Sequence, residues 1–365
     1  MGFNCGIVGL PNVGKSTLFN AVTNTTAAAA ANYPFCTIEP NIGRVPVPDP
    51  RLDRLAVLAK SAKTVPTQLE IKDIAGLVRG ASKGEGLGNK FLGAIREVDA
   101  ILQVLRCFED PDITHVEGGV DPLRDAELIE TELLLADLES LERQKDALAK
   151  RAKGQDKEAK ARLELIERIL PLLEAGRQAR TLELTDEERA LLAGFNLLTA
   201  KPVLYVCNVD EASAAAGNAL TAKVAELAKA QGARHVVICA AIEADLSALA
   251  EDEKAEYLAG MGLDEPGLNR VIREGHELLG LLTFFTVGPK EARAWTVHHG
   301  ATAPQAAGVI HTDFERGFIC AEVIAYDDFV RLGGEQGAKE QGRMRLEGRD
   351  YPVQDGDVCH FRFNV

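Results

Sequence analysis

The amino-acid sequence predicts an α/β protein: a mostly parallel sheet domain, interrupted by a helical hairpin and followed by a small α+β unit. Three observations carry that prediction. Short apolar runs flanked by turns alternate with helix-like stretches through the first third of the chain and again after Lys201. From Leu123 to about Arg180 there is almost no Gly or Pro, and Leu, Ala, Glu, Lys and Arg dominate. Beyond Leu281 the chain is rich in Phe, Val, Ile and Gly, in short β-like runs.

Each element follows in order. Phe3–Val8 is an apolar run ending at Gly9, and a helix-like stretch opens at Gly14. Gln68–Ile71, Ala100–Leu105, Val203–Cys207 and His235–Cys239 are further runs of the kind that buried parallel strands show. The pattern breaks at about Pro122. Leu134, Leu138, Leu141 and Leu148 step at coiled-coil spacings, with Lys145 interrupting the seam, and Leu163, Ile166, Leu170 and Leu173 form a second stripe. Gly154-Gln155-Asp156 separates the stripes, which predicts two antiparallel helices with a tip near residue 154. The sheet pattern resumes at Lys201-Pro202. In the last unit Thr283–Val287, Ala294–His298, Phe318–Val323 and Val358–Val365 read as strands. The run Ala27–Ala31 reads as a mobile loop or a helix end, and no internal repeat is evident.

The 365 residues suggest two or three domains at a prior of about 150 residues each. An apolar fraction of 46% and a charged fraction of 26% exclude a disordered or collagen-like chain. No run approaches the roughly 18 apolar residues of a membrane span, so no membrane role is expected. The start lacks the basic and small-residue signature of a signal peptide, and Gly6 breaks a myristoylation signal. Seven scattered cysteines without CxxC spacing read as reduced thiols, as in the cytoplasm. A net charge of −14 opposes non-specific nucleic-acid binding by the whole molecule.

Gly9-Leu-Pro-Asn-Val-Gly14-Lys15-Ser16 fits GxxxxGK[ST], after a strand and opening a helix. The glycines turn backbone N–H groups inward around phosphate oxygens, and the helix adds its positive end. Lys15 brings charge to the β/γ-phosphates, and the Ser16 hydroxyl suits Mg²⁺. Gly9, Asn12, Val13, Gly14 and Thr17 complete this candidate nucleotide cradle. Asp73-Ile-Ala-Gly76 follows the strand Leu69–Ile71. A carboxylate at Asp73 can hold Mg²⁺ through water, and the Gly76 N–H can face a γ-phosphate. Thr37, between the two motifs, can complete the Mg²⁺ shell when its loop closes on a triphosphate.

Asn208-Val209-Asp210-Glu211 ends the strand Val203–Cys207, where a guanine-specific protein has NKxD. Val209 replaces the Lys and Glu211 the Asp. Glu is one methylene longer, so its bidentate fit to guanine falls out of register, which weakens guanine preference. Asn208 alone also suits a plain turn cap.

Taken with Tyr33–Pro40, Asp73–Ser82 and Asp112–Pro122, these motifs resemble the YchF/Obg-like ATPase family of translation-factor-class P-loop NTPases, in the Obg branch. The resemblance covers essentially the whole chain. It implies a Ras-like G-domain over 1–122 and 202–280, an inserted α-helical coiled-coil hairpin over 123–201, and a TGS domain of β-grasp fold over 281–365. It implies ATP hydrolysis with Mg²⁺, GTP being the poorer substrate, and the ribosome as partner. Two alternatives stay open: a nucleotide-gated binding module with incidental hydrolysis, and a GTP-specific Obg-type GTPase. Leu77 stands where many GTPases carry a water-orienting Gln, which implies slow turnover with the missing group supplied elsewhere. His115, or K⁺ held through Asn12, are the two routes.

Residues 143–162 carry eight basic side chains against Asp146, Asp156 and Glu158, a local +5 inside a −14 protein. That contrast marks the hairpin tip as a candidate RNA-facing surface. Residues 281–365 carry a net −3, so RNA contact by the TGS domain rests on the resemblance alone.

Overall fold

The structure, a computed structural model, describes residues 3–32, 41–74, 87–113, 118–154 and 156–364. Its strands are β1 (Asn4–Val8), β2 (Ile42–Pro46), β3 (Thr64–Val65), β4 (Gln68–Asp73), β5 (Ala100–Arg106), β6 (Val203–Asn208), β7 (Arg234–Ile238), β8 (Leu281–Val287), β9 (Ala292–His298), β10 (Phe318–Ala325), β11 (Arg345–Glu347) and β12 (Asp357–Phe363). The chain divides into two compact units. One holds Met1–Val45 and Glu70–Gly275, the other Pro46–Leu69 and His276–Val365.

The first unit is built on a sheet of order β2-β4-β1-β5-β6-β7. β1 pairs in parallel with β4 and β5, β5 with β6, and β6 with β7. Every residue of β5 and β6 is buried, which explains their largely apolar reading, broken within β5 by the buried Gln103. The helix Lys15–Asn32 takes in the alanine run Ala27–Ala31.

The hairpin is two helices, Pro122–Ala152 and Lys157–Glu174. Each starts as sequence rules require. Asp121 accepts from the N–H groups of Leu123 and Arg124 with Pro122 at the first position, and Asp156 accepts from Ala159 N–H. Leu134, Leu141 and Leu148 interlock with Leu165, Ile166, Ile169, Leu170 and Leu173. Each such buried side chain stabilises the pair by about 1.5–3 kcal/mol. Leu138 and Leu163, expected in the seams, are only partly buried. At the hairpin's foot the buried Asp137 carboxylate accepts from Leu198 N–H (2.9 Å), Thr199 N–H (2.8 Å) and the Thr199 hydroxyl (2.6 Å). Burial nevertheless pushes this carboxyl above the ordinary range.

In the second unit the strand order is β11-β10-β12-β8-β9-β3. β8 and β9 form an antiparallel hairpin, β12 runs parallel to β8, and β10 pairs antiparallel with β12 and β11. The helix Ala303–Ile310 lies between β9 and β10 in sequence. This is the β-grasp arrangement with one added edge strand. One face packs Phe284, Val323 and Phe361 against Ala303, Ala306 and Ala307. The other packs Phe285, Ala294 and Val358 against Leu52, Leu55 and Ala56.

Those last three residues lie on the helix Pro50–Ala59, and they correct the boundary read from sequence. Residues 46–69 were expected inside the nucleotide domain but belong to the second unit. The helix buries its apolar face on that unit's sheet, β3 pairs with β9, and Arg51 bridges Asp49 and Asp355. The second unit also takes in residues 276–280, and the hairpin falls within the first.

Candidate nucleotide site

The parallel strands of the first unit deliver their motifs to one edge. β1 runs into Gly9, β4 ends at Asp73, β5 at Arg106, β6 at Asn208, and β7 leads into Cys239. The carboxyl edge of a parallel sheet is where ligands bind in such folds. Register aligns the groups: Ile7 stands opposite Asp73, and Asn208 stands opposite both Arg106 and Ile238.

The Gly9–Ser16 loop is held by backbone geometry. Asn12 and Gly14 sit at positive φ, 63° and 95°. Gly14 is doubly required, because a Cβ there would also run into the Asn208 amide. A Cβ at Gly9 would lie 2.9 Å from Val13 Cγ2 and 3.0 Å from the Val104 carbonyl oxygen. Val13 is buried, while Ser16 and Thr17 are exposed on the first turn of the helix Lys15–Asn32. Lys15 donates to the Asp73 carboxylate in a half-buried ion pair. A triphosphate would draw Lys15 away from this pair and free Asp73. Ser16 and Asp73 are hard oxygen donors of the kind Mg²⁺ takes beside substrate phosphates and water. Thr37, Gly76, Leu77 and His115 lie outside the described residues.

A cavity of about 720 Å³ opens beside the loop. Its walls come from four stretches: Asn12, Gly14 and Thr17; Phe108, Glu109, Asp110 and Ile113; Asn208 to Ala212; and Cys239 to Ala241. Asn208 is buried and does more than cap a turn. Its Nδ2 donates to the Val13 carbonyl (2.9 Å) and its Oδ1 accepts from Ala240 N–H (2.9 Å), so it fastens the phosphate loop to the base end. Val209 is buried and donates its N–H to Ile238 O at 2.8 Å. Asp210 caps the short turn Glu211–Ser213, accepting from Ser213 N–H at 2.9 Å. That leaves Glu211 exposed at the cavity rim.

A strand, a phosphate loop and a lysine paired with a strand-end carboxylate, all on the edge of a parallel sheet, define a P-loop nucleoside triphosphatase. Residues 4–132 match the family described as 50S ribosome-binding GTPase, and residues 281–364 match YchF-GTPase_C, a domain of unknown function (DUF933). The chain is similar end to end to proteins named Ribosome-binding ATPase YchF. It is 60% identical over 365 residues to that of Pasteurella multocida, 57% to that of Escherichia coli O157:H7 and 53% over 367 residues to that of Bacillus subtilis, with 100% of each chain covered. The structure of the Schizosaccharomyces pombe YchF GTPase matches with a TM-score of 0.89 at 38% identity, covering 99% of this chain and 98% of that one. The chain belongs to the YchF family.

Sequence reading missed much of the cavity wall, Phe108, Glu109, Asp110, Ile113 and Cys239–Ala241, and Arg106 behind it. A charge at Arg106 closes the run Ala100–Leu105, but nothing in the local sequence marks it as buried.

The eight basic residues of the tip are not equivalent. Arg143, Arg151 and Arg162 pair with Glu139, Asp156 and Glu158, and Arg162 also lies over the Phe195 ring at 5.4 Å. Lys150, Lys153, Lys157 and Lys160 are exposed and make no ion pair among the described residues. No helix among the described residues is long and apolar enough to cross a membrane.

Proposed function

We propose that this chain binds and hydrolyses ATP in preference to GTP and docks on the ribosome as a nucleotide-driven switch. The base end of the cavity carries this reading. Val209 is buried where a guanine-specific protein offers a lysine stem, and Glu211 stands exposed where it offers an aspartate. The bacterial relatives' names point the same way, while the fission-yeast protein is called a GTPase. Lys15 neutralises phosphate charge, and Ser16, Thr37 and Asp73 are the residues suited to hold Mg²⁺, which would draw charge from the γ-phosphate when bound. Leu77 can neither orient nor deprotonate water. The missing function falls to His115 or to K⁺ beside Asn12, and exchange of K⁺ for Na⁺ slows turnover only by the second route.

The exposed lysines of the hairpin tip support contact with ribosomal RNA, since phosphate neutralisation releases counterions. Affinity for ATP and GTP, and turnover with and without ribosomes, test the reading. ATP should bind more tightly and ribosomes should accelerate hydrolysis. A tenfold preference for GTP overturns the base assignment. Turnover indifferent to ribosomes favours a nucleotide-gated binding module. Reversal of Lys150, Arg151 and Lys153 to Glu takes the local charge from +5 to −1. It should weaken co-sedimentation with ribosomes and its salt dependence, and spare ATP binding.

A further inference from the structure

Arg106 closes β5 with its side chain buried, the residue being only 1% exposed. A cation at that depth ordinarily faces a carboxylate. Here its hydrogen bonds among the described residues all go to main chain. Nε donates to the Phe108 carbonyl (3.1 Å), Nη1 to that of Ile113 (2.9 Å) and Nη2 to that of Asp110 (3.1 Å). Its guanidinium also lies over the Phe108 ring, 4.8 Å from the centroid. One planar fork thus fixes three carbonyls relative to each other, as only arginine's rigid set of donors can. The same stretch forms one wall of the cavity through Phe108, Glu109, Asp110 and Ile113. A second clamp acts at its start, where Asn218 Nδ2 donates to the Cys107 carbonyl at 2.7 Å.

We infer that Arg106 is a positioning residue for base recognition. It moulds residues 107–113 into the wall against which the nucleobase is held, and touches no nucleotide itself. This rests on the adenine-nucleotide reading above. Selectivity between bases then depends on a side chain outside every nucleotide motif. Lysine in its place supplies one mobile ammonium for three carbonyls, and the wall loses its fixed shape.

The test uses the full chain with Mg²⁺ and three probes: ATP, GTP and inorganic tripolyphosphate, which has phosphates but no base. Arg106→Lys should weaken ATP binding about tenfold, shrink the ATP-over-GTP ratio toward one, and leave tripolyphosphate binding unchanged. KM for ATP should rise while kcat at saturation holds. Equal losses for ATP and tripolyphosphate, or no loss, overturn the inference. Where circular dichroism shows Arg106→Lys unfolded, Asn218→Ser decides, because serine still caps its helix but cannot reach the Cys107 carbonyl. It should show the same pattern at about threefold, and unchanged ATP binding by this variant overturns the inference. A wild-type chain that binds tripolyphosphate as tightly as ATP overturns the adenine reading and this inference together. Wild-type base preference with equal losses in Arg106→Lys overturns this inference alone.

Discussion

The two ends of the nucleotide cavity are built in opposite ways. The phosphate end is one continuous loop, shaped by glycines and charged by Lys15, whose partner Asp73 lies on the adjacent strand. The base end is assembled from three loops spread over more than a hundred residues of sequence, 108–113, 208–212 and 239–241, held by Asn208, Asn218 and Arg106 through backbone groups. Phosphates are the same in every nucleoside triphosphate, so the first end supplies affinity without choice. On the reading proposed above, choice resides in the second, where shape depends on side chains that brace other loops. A chain can therefore keep its phosphate loop intact and change its base.

The largest expected effect comes from the phosphate end. Lys15→Ala should weaken ATP, GTP and tripolyphosphate alike by about 100-fold, since it removes a charged hydrogen bond worth about 1.5–3 kcal/mol. Isothermal titration with the three ligands checks this, and unequal losses would break the proposed division. Asn208→Ala comes next, because Asn208 serves both ends. It leaves the Val13 carbonyl and the Ala240 N–H without their partner, at about 1–3 kcal/mol each. Thermal stability should fall, and tripolyphosphate should weaken along with ATP; an effect on ATP alone would place Asn208 wholly at the base end. Glu211→Asp should act on the base end only. It should shift the ATP-to-GTP affinity ratio a few-fold toward GTP with tripolyphosphate unmoved.

The smallest effect is electrostatic. Glu243 lies in the helix Ala240–Ala248 that follows the Cys239–Ala241 wall, and its buried carboxylate accepts from Gly267 N–H at 2.7 Å. Burial raises its pKa above the usual 4.5, outweighing the backbone hydrogen bonds and the charge of Arg270 that lower it. A raised carboxyl pKa means the folded state holds its proton more tightly than the unfolded one. The group therefore costs stability at high pH, and the cost fades as pH falls through its folded pKa toward 4.5. Melting curves of Glu243→Gln and the parent should differ most near pH 8 in the variant's favour and converge by pH 4.5. The gap should be no more than about 2–4 °C. A gap that widens on acidification would show that burial is not the dominant influence.

The unequal construction of the two ends also decided what could be read from the chain alone. The phosphate loop, Asp73 and the strands that carry them were legible because contiguous spacing encodes a contiguous structure. The hairpin was legible from its leucine seams, down to the tip at Gly154. Arg106 and Ala240 were not, because nothing local distinguishes an arginine that closes a strand from one that faces water. The same limit hid the destination of residues 46–69. Leu52, Leu55 and Ala56 make an ordinary amphipathic face, and the sequence does not say which sheet it covers.

That displaced segment has a consequence for synthesis. Arg51 meets Asp355 across 304 positions of sequence, and Leu52 and Leu55 meet Phe285 and Val358. A polymerising chain grows at about 5–20 residues per second. The Pro50–Ala59 helix therefore leaves the exit tunnel on the order of 15–60 s before the last strand that completes its burial. Until then its apolar face is not fully covered, while the parallel sheet of the first unit, whose last strand ends at Ile238, can already close. Completion of the second unit is thus tied to residues translated some three hundred positions after the helix, and a nascent chain arrested before them carries a long-lived sticky surface for chaperones to shield.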